Sequence, residues 1–215
     1  MPVEPSQVSD TSIKKPMRID GRRLRSERTK QLIIEAYLAL ADAFSPRVPT
    51  AAEIAEKAGY SVRSVFERFP DILTLQIAAV DYAMAQVTAL APPNELEGDR
   101  AMRIRSQVRA RAQVCERWLP LWRSLIVNQG NSEELKDRIR GSRERVMGRL
   151  EAMYQPELET VAEDERRQLV IALEALTDVE SWARMREFFG LSFDEACLAW
   201  IQAIDRLLPR SATDP

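Results

Sequence analysis

The sequence predicts an all-α protein, and three observations support this fold class. Glycine is scarce, with 7 residues among 215, so there is little provision for the tight turns of β-hairpins. Ala, Leu, Glu and Arg, which are strong helix formers, are abundant. Apolar residues recur at spacings of three and four, the period of a helix with one buried face. Two parts are expected: an N-terminal three-helix unit and a larger helical domain.

Residues 1–20 are predicted to form a disordered tail, because they are rich in Pro, Ser, Thr and Asp and poor in large apolar groups. Between residues 14 and 30 the charge becomes strongly positive, with eight Lys or Arg against Asp20 and Glu27. One interpretation is an arm that neutralises phosphates or enters a DNA minor groove. The other is a solvated basic tail, and the residues leave both open.

The first helix is predicted over residues 26–44. Its apolar residues are spaced by four, three and four along one face, and Pro46 and Pro49 prevent the helix from continuing. We expect this helix to cover the apolar back of the two short helices that follow it.

Residues 50–70 predict two short helices joined by a tight turn. Thr50 and Glu53 form a capping-box pattern, Gly59 stands where a positive φ is usually needed, and Ser61 can cap the second helix. This pattern indicates a helix-turn-helix, whose second helix fits the major groove of DNA. An amphipathic hairpin in an ordinary helical bundle has similar patterning and remains the alternative.

The second short helix has an apolar and a polar side. Its apolar positions are Val62, Val65, Phe66 and Phe69. Val65 is expected to be the inward anchor, and Ala55 is the small residue where the two helices cross. The polar positions free to face bases or phosphates are Arg63, Ser64, Glu67 and Arg68.

The remainder is predicted to be helical. A connecting helix over 71–91 precedes a proline-containing linker. Further helices are expected near residues 99–117, 118–127, 132–154, 157–189 and 192–208, with a possible break in the fourth of these at 177–178. Pro120 is assigned to the first turn of its own helix, and Ser192 with Glu195 forms a second capping box.

Composition narrows the function classes. The net charge is −2, yet residues 1–70 carry 12 Lys or Arg and 9 Asp or Glu, so the basic excess lies with the candidate DNA-reading helices. Histidine is absent, there is no Gly-rich phosphate loop, and Cys115 and Cys197 lack metal-ligand spacing. We therefore expect no enzyme, no cofactor, no metal site and reduced thiols. No signal peptide or membrane span is expected, so a cytoplasmic location is predicted.

The segments SERTKQLIIEAYLALADAF and PTAAEIAEKAGYSVRSVFERFP, followed by a long helix, resemble the tetracycline-repressor (TetR) family of bacterial transcription regulators. The resemblance covers residues 22–81. It implies an all-α homodimer with a helix-turn-helix DNA-binding domain over residues 21–70 and an effector-binding and dimerisation domain over residues 71–215. The expected function is a repressor that a small molecule releases from a pseudo-palindromic operator. A helical protein-interaction module without DNA binding is the alternative.

The resemblance also implies DNA-contact roles by position. The expected phosphate contacts are Arg28, Thr29 and Thr50, and the expected groove-lining residues are Ser61, Arg63, Ser64 and Arg68. Two positions depart from the family pattern: Phe66 stands where Tyr is usual, and Ile72 stands where Lys is common. Each departure removes a phosphate contact.

Two surfaces in the second half are open to two interpretations. Aromatic and Met residues there are candidates for an apolar effector pocket or for plain core; they are Met102, Trp118, Trp122, Met147, Tyr154 and Trp182. The apolar stripes of the last two helices predict either an intersubunit four-helix bundle or intrachain core.

Overall fold

The computed structural model describes residues 21–90, 98–130 and 132–211, leaving out the side chains of Arg22, Thr88, Ala89 and Leu90. The predicted all-α class is confirmed, because the regular structure throughout these ranges is helical. The helices are α1 Gly21–Phe44, α2 Ala51–Ala58, α3 Val62–Phe66, α4 Ile72–Leu90, α5 Arg100–Asn128, α6 Glu133–Met153, α7 Gln155–Leu158, α8 Glu163–Leu176, α9 Val179–Ala183 and α10 Phe193–Leu207. A π-helical turn, Arg184–Phe188, continues α9.

The local signals for helix ends are confirmed. Both predicted capping boxes form, at Thr50 with Glu53 and at Ser192 with Glu195. Gly59 adopts the left-handed conformation with φ of 74°, which glycine tolerates because it has no Cβ. α1 begins at Gly21, five residues before the predicted start. The predicted tail over 1–20, the basic residues within it and linker residues 91–97 lie outside the described residues.

The prediction of separate helices over 99–117 and 118–127 is wrong. α5 runs unbroken from Arg100 to Asn128 with Pro120 in its interior. Proline removes a backbone hydrogen bond at such a position. The buried face of α5 nevertheless continues past it, since Leu121 and Leu125 are 6% and 4% exposed. Packing on this continuous face outweighs the local preference of Pro120 to begin a helix.

The helix predicted over 157–189 is divided more than expected. α7 forms a single turn with Pro156 near its start, and α8 begins only at Glu163. The break near residues 177–178 is confirmed, because Asp178 caps the start of α9 through its side chain.

Two hydrophobic clusters form the core. One joins α5, α6, α8, α9 and α10 around Trp182 and Trp200. The other joins α1, α2 and α3 to α4, to the C-terminal part of α5 and to the start of α6. The half-buried Trp122 of α5 packs against both clusters. The core around the N-terminal helices therefore extends beyond residue 70. Among the described helices, none is long and apolar enough to cross a membrane.

Candidate functional site

The α2–turn–α3 unit is held by local hydrogen bonds and a small apolar contact. The Thr50 side chain caps α2, and the Tyr60 amide donates to the Ala55 carbonyl at 2.9 Å as the chain turns at Gly59. Ala55 and Val65 are 3% and 0% exposed. The small side chain of Ala55 and the anchor at Val65 fix α3 against the rest of the unit.

The polar side of α3 faces outward. The Arg63 side chain is 88% exposed and forms an ion pair with Glu67, with 3.0 Å between Nε and Oε1. The Ser61 hydroxyl accepts a hydrogen bond from the Ser64 amide at 3.1 Å and so caps the helix. This short helix is anchored on one side only, and none of the described residues packs over its polar edge.

Two of the four apolar positions in residues 61–69, Val62 and Phe66, lie at the surface. Their exposed fractions are 41% and 43%. Because α3 has little more than one turn, Val65 and Phe69 suffice to anchor it, and Val62 and Phe66 fall to the side of that contact.

A basic cleft lies between the start of α1 and the end of α3. It has a volume of about 530 Å³ and is lined by Arg25, Ser26, Thr29, Lys30, Glu67 and Arg68. The Arg68 guanidinium donates to the Ser64 carbonyl at 3.3 Å and contacts Glu67 at 3.5 Å. Three cations thus stand around one carboxylate beside the exposed edge of α3.

The three residues assigned to phosphate contact by resemblance differ in placement. Arg28 is exposed, whereas Thr29 is 9% exposed and its hydroxyl donates to the Arg25 carbonyl at 2.9 Å. The Thr50 hydroxyl donates to the Glu53 carboxylate at 2.8 Å. The Thr29 and Thr50 hydroxyls already have partners within the fold, and burial of Thr29 argues against its assigned role.

Arg25 and Lys30 belong to the basic segment 14–30, for which a phosphate-neutralising arm is one interpretation, but no contact is assigned to them individually. Both lie beside Arg68 in the basic cleft. The signal for their placement is helical spacing, since Arg25 lies four residues before Thr29 and Lys30 lies four residues after Ser26 on α1.

A second recess lies between α4, α5 and α6. This α4–α6 cavity has a volume of about 470 Å³. It is lined by Met84, Val87, Gln107, Ala110, Arg111, Gln113, Val114, Arg117, Trp118, Ser142, Arg145, Val146 and Arg149. Among the described residues of that lining there are four arginines and no carboxylate, while valine, alanine and tryptophan supply its apolar part.

Comparison with known proteins separates sequence from fold. No model of a protein family matches the sequence, and no curated protein is similar to it. Solved structures do match. A transcriptional regulator from Rhodococcus sp. Rha1 is 17% identical with a TM-score of 0.72, over 86% of this chain and 99% of that one. A TetR-family regulator from Streptomyces coelicolor is 18% identical with a TM-score of 0.67, over 84% and 80%. A TetR-family regulator from Marinobacter aquaeolei VT8 is 19% identical with a TM-score of 0.57, over 87% and 100%.

The chain has the TetR-family fold. Of the two positions that depart from the family pattern expected by resemblance, Phe66 has its ring half exposed at the surface of α3. Ile72 is the first residue of α4. The basic cleft, with Arg25, Lys30 and Arg68, lies next to α3.

Of the six residues predicted to line an effector pocket, Trp118 alone lies in the α4–α6 cavity of this TetR-type fold. Tyr154 and Trp182 are fully buried core residues, and the Trp182 indole donates to Glu116 at 2.6 Å. Met102 is 52% exposed, and Trp122 and Met147 pack against the core. Helical periodicity marks aromatic and Met residues as buried but cannot separate core from cavity wall.

Among the described residues, no group of His, Cys, Asp or Glu is arranged to hold a metal ion. The two cysteines are free and buried. Burial raises the pKa of the Cys115 thiol to about 11 and also raises the pKa of Cys197. Both thiols are therefore kept in the neutral form.

Proposed function

We propose that this protein is a TetR-type transcriptional regulator that binds a pseudo-palindromic DNA operator as a homodimer and is released by a small-molecule effector. The observation that carries the proposal is the exposed polar edge of α3, with Arg63 88% exposed and the basic cleft beside it. An exposed recognition helix with flanking cations suits a major groove and its phosphates. The likeness in fold to transcriptional regulators supports the same function.

The apolar outer faces of α8 and α10 support a homodimer. Ile171 of α8 is 49% exposed, and Leu198 and Leu207 of α10 are 53% and 42% exposed. Large aliphatic side chains exposed on two helices near the C-terminus are what a second copy would cover in a four-helix bundle. A symmetric pair would also present two copies of α3 to half-sites about 34–36 Å apart.

The α4–α6 cavity supports the effector role. One wall belongs to α4, the helix that continues from the α2–α3 unit, so a ligand there would contact the element that carries α3. One protein of similar fold is the multidrug binding protein EbrR, solved in complex with imidazole; it is 18% identical with a TM-score of 0.57. By analogy, small-molecule binding in this chain would shift the spacing of the two readers.

The proposal is tested by capturing genomic DNA fragments on the purified protein, sequencing them and measuring affinity for the recovered site by fluorescence anisotropy. We expect a pseudo-palindromic motif. The affinity should fall roughly a thousandfold or more between about 50 and 200 mM salt if six or more phosphates are contacted. A scrambled duplex of equal length is the control. Equal affinity for both duplexes would favour a protein-interaction module without DNA specificity.

A further inference from the structure

The α4–α6 cavity brings several arginine side chains together. Arg111 and Arg117 of α5 and Arg145 and Arg149 of α6 all belong to its lining, and among the described residues that lining contains no Asp or Glu. A guanidinium forms stronger hydrogen bonds with an anion than with a neutral acceptor. The wall is therefore suited to a negatively charged ligand.

Three of these arginines have neutral partners. The Arg111 guanidinium donates to the Thr177 carbonyl at 2.9 Å, and Arg117 donates to the Gln86 side-chain oxygen at 3.0 Å. Arg145 lies 3.1 Å from the Met84 sulfur, a weak acceptor. Within the part of the chain that the structure describes, none of these three has a carboxylate oxygen within 4.0 Å.

Other arginines that join elements of the fold are paired. Arg138 of α6 forms an ion pair with Asp81 of α4 at 3.1 Å. Arg123 of α5 pairs with Glu180 and with Glu187. Arg138 and Arg123 thus connect helices through ion pairs with carboxylates. Arg111, Arg117 and Arg145 differ from them because their hydrogen-bond acceptors are neutral.

The rest of the cavity wall is apolar and aromatic. Val87 of α4, Ala110, Val114 and Trp118 of α5 and Val146 of α6 supply this part of the lining. A volume of about 470 Å³ lies within the range of pockets that hold small organic molecules. The lining pairs a surface for an apolar body with donors for an acidic group.

We infer that the effector is an amphipathic organic acid, with its anionic group held by Arg117 and Arg145 and its aromatic or aliphatic body against Trp118 and the valines. This inference rests on the proposed function for its regulatory part and on the cavity alone for its binding part. It adds an anionic group to the apolar effector that the sequence leads us to expect.

The same two arginines connect the ligand to α4. Arg117 reaches Gln86 and Arg145 reaches Met84, and both acceptors belong to α4. An anion bound to both guanidiniums competes with these contacts, because a charge-assisted bond is stronger than one to an amide oxygen or a thioether. The ligand thereby favours a state in which α4 is less tied to α5 and α6, which is the differential interaction that a conformational switch requires.

Calorimetry on the full chain without DNA tests the binding part. The probes are 2-naphthoate and decanoate, their uncharged amides 2-naphthamide and decanamide, and 2-naphthyl phosphate to distinguish a carboxylate from a phosphate. We expect at least one anion to bind about tenfold or more tightly than its amide, since a hydrogen bond to a charged group is stronger than a neutral one. Equal binding of acids and amides, or no binding of any anion, would overturn the inference.

Two variants and one control assign the arginines. Arg117→Gln and Arg145→Gln should each weaken binding of the anion by about tenfold while leaving the amide unaffected. Arg105→Gln removes the same charge from an exposed position of α5 outside the cavity lining and should bind like the unchanged protein. Circular dichroism melts verify folding. An equal loss of affinity for the anion in all three variants would show that only the net charge of the protein matters. It would contradict the assignment of Arg117 and Arg145 to the anion site.

The operator assay then tests the regulatory part separately. An anion that binds by calorimetry should release the protein from its operator, and Arg145→Gln should need about tenfold more of it. Binding without release would overturn the coupling through α4 and leave DNA recognition standing. Failure of the protein to select an operator in the absence of ligand would instead overturn the proposed function and leave the anion site intact.

Discussion

At the scale of single residues, Glu53 connects three groups at the entrance to the helix-turn-helix. Its carboxylate accepts hydrogen bonds from the Arg47 guanidinium at 2.9 and 3.0 Å, and from the Thr50 amide and the Thr50 hydroxyl, both at 2.8 Å. These donors favour the ionised form. They lower the pKa of Glu53 to about 2, with the Arg47 hydrogen bonds as the largest cause and Thr50 as the next.

The titration of Glu53 should therefore be shifted to acid. Because its pKa in the folded protein lies below the ordinary 4.5, its contribution to stability is fully present above about pH 4.5 and is lost as the pH falls through about 2. NMR of the labelled carboxyl carbon should show a midpoint near 2. In Arg47→Ala the midpoint should rise towards 4.5 but stop short of it, because Thr50 still donates. A midpoint of 4.5 in the unchanged protein would contradict this network.

Arg63 is the exposed cation of α3 whose removal should most affect operator recognition. We expect Arg63→Ala to weaken specific binding by roughly 1–3 kcal/mol if the guanidinium reads a base edge. Arg140→Ala is the matched control, because Arg140 is also exposed and also pairs with an acid on its own helix, Asp137 at 3.0 Å. Fluorescence anisotropy with operator and scrambled duplexes measures both. A similar change in the two variants would remove Arg63 from base recognition.

At the scale of elements, the angle between α2 and α3 is set by the turn at Gly59. A Cβ added there would have nothing within 4 Å, so the requirement for glycine comes from its φ of 74° alone. Any residue with a Cβ would be strained at this φ, and movement of neighbouring side chains could not relieve the strain.

Replacement of Gly59 by Ala should destabilise the protein by about 1–2 kcal/mol, the cost of a left-handed conformation for an L-residue. Gly148→Ala is the control, since Gly148 lies inside α6 with nothing within 4 Å and no positive φ. That change should stabilise by roughly 0.5–1 kcal/mol, because Ala favours helix over Gly. Urea unfolding of both variants measures the change in the free energy of unfolding, which we expect to be a decrease for Gly59→Ala and an increase for Gly148→Ala. A loss of stability in both would point to general intolerance of added side chains.

The helix ends could be predicted from the sequence because their signals are local. Thr50, Gly59 and Ser192 each act on residues no more than a few positions away, and each was identified correctly. Pro120 was misassigned because its place is decided at a distance. Its carbonyl accepts a hydrogen bond from the Ser45 hydroxyl at 2.9 Å, and the neighbouring Leu121 is buried in the cluster that includes α1.

The candidate sites were predictable only in part, for the same reason. The polar edge of α3 follows from helical spacing, and the structure places that edge outside. The cavity arginines could not be found, because Arg117 on α5 and Arg145 on α6 meet through packing between helices. Arginines on a helix are most often solvated, so nothing in the sequence separates the ones that line the cavity.

At the scale of the whole molecule, the proposed dimer requires that the exposed apolar faces of α8 and α10 form its interface, and this can be measured. Light scattering should report twice the chain mass of 24.5 kDa. Leu198→Glu should reduce the mass towards the monomer, because a buried carboxylate in an apolar interface is costly without a partner. Operator affinity should fall with it, since two readers are then no longer linked. Val127→Glu alters an exposed aliphatic residue at the end of α5 and should leave the dimer intact.

The hydrophobic cluster that joins α1, α2 and α3 to α4, α5 and α6 predicts which fragments of the chain can fold. A fragment of residues 21–70 leaves behind Leu75, Leu121, Leu125 and Leu135, which are all buried in the same cluster as residues of α1, α2 and α3. We expect this fragment to show little cooperative melting by circular dichroism, whereas residues 21–153 should melt cooperatively. A sharp transition in the shorter fragment would show that its three helices stand without those neighbours.

The position of that cluster also limits how the protein can be re-engineered. In a chimaera that joins only the first 70 residues to another sensor domain, that domain would have to provide a complementary apolar surface for Ile33, Tyr37 and Phe69. Chimaeras that also include α4 and the facing ends of α5 and α6 keep the native packing surface. A chimaera made to exchange the proposed operator preference should therefore have its junction within residues 71–215, not at residue 70.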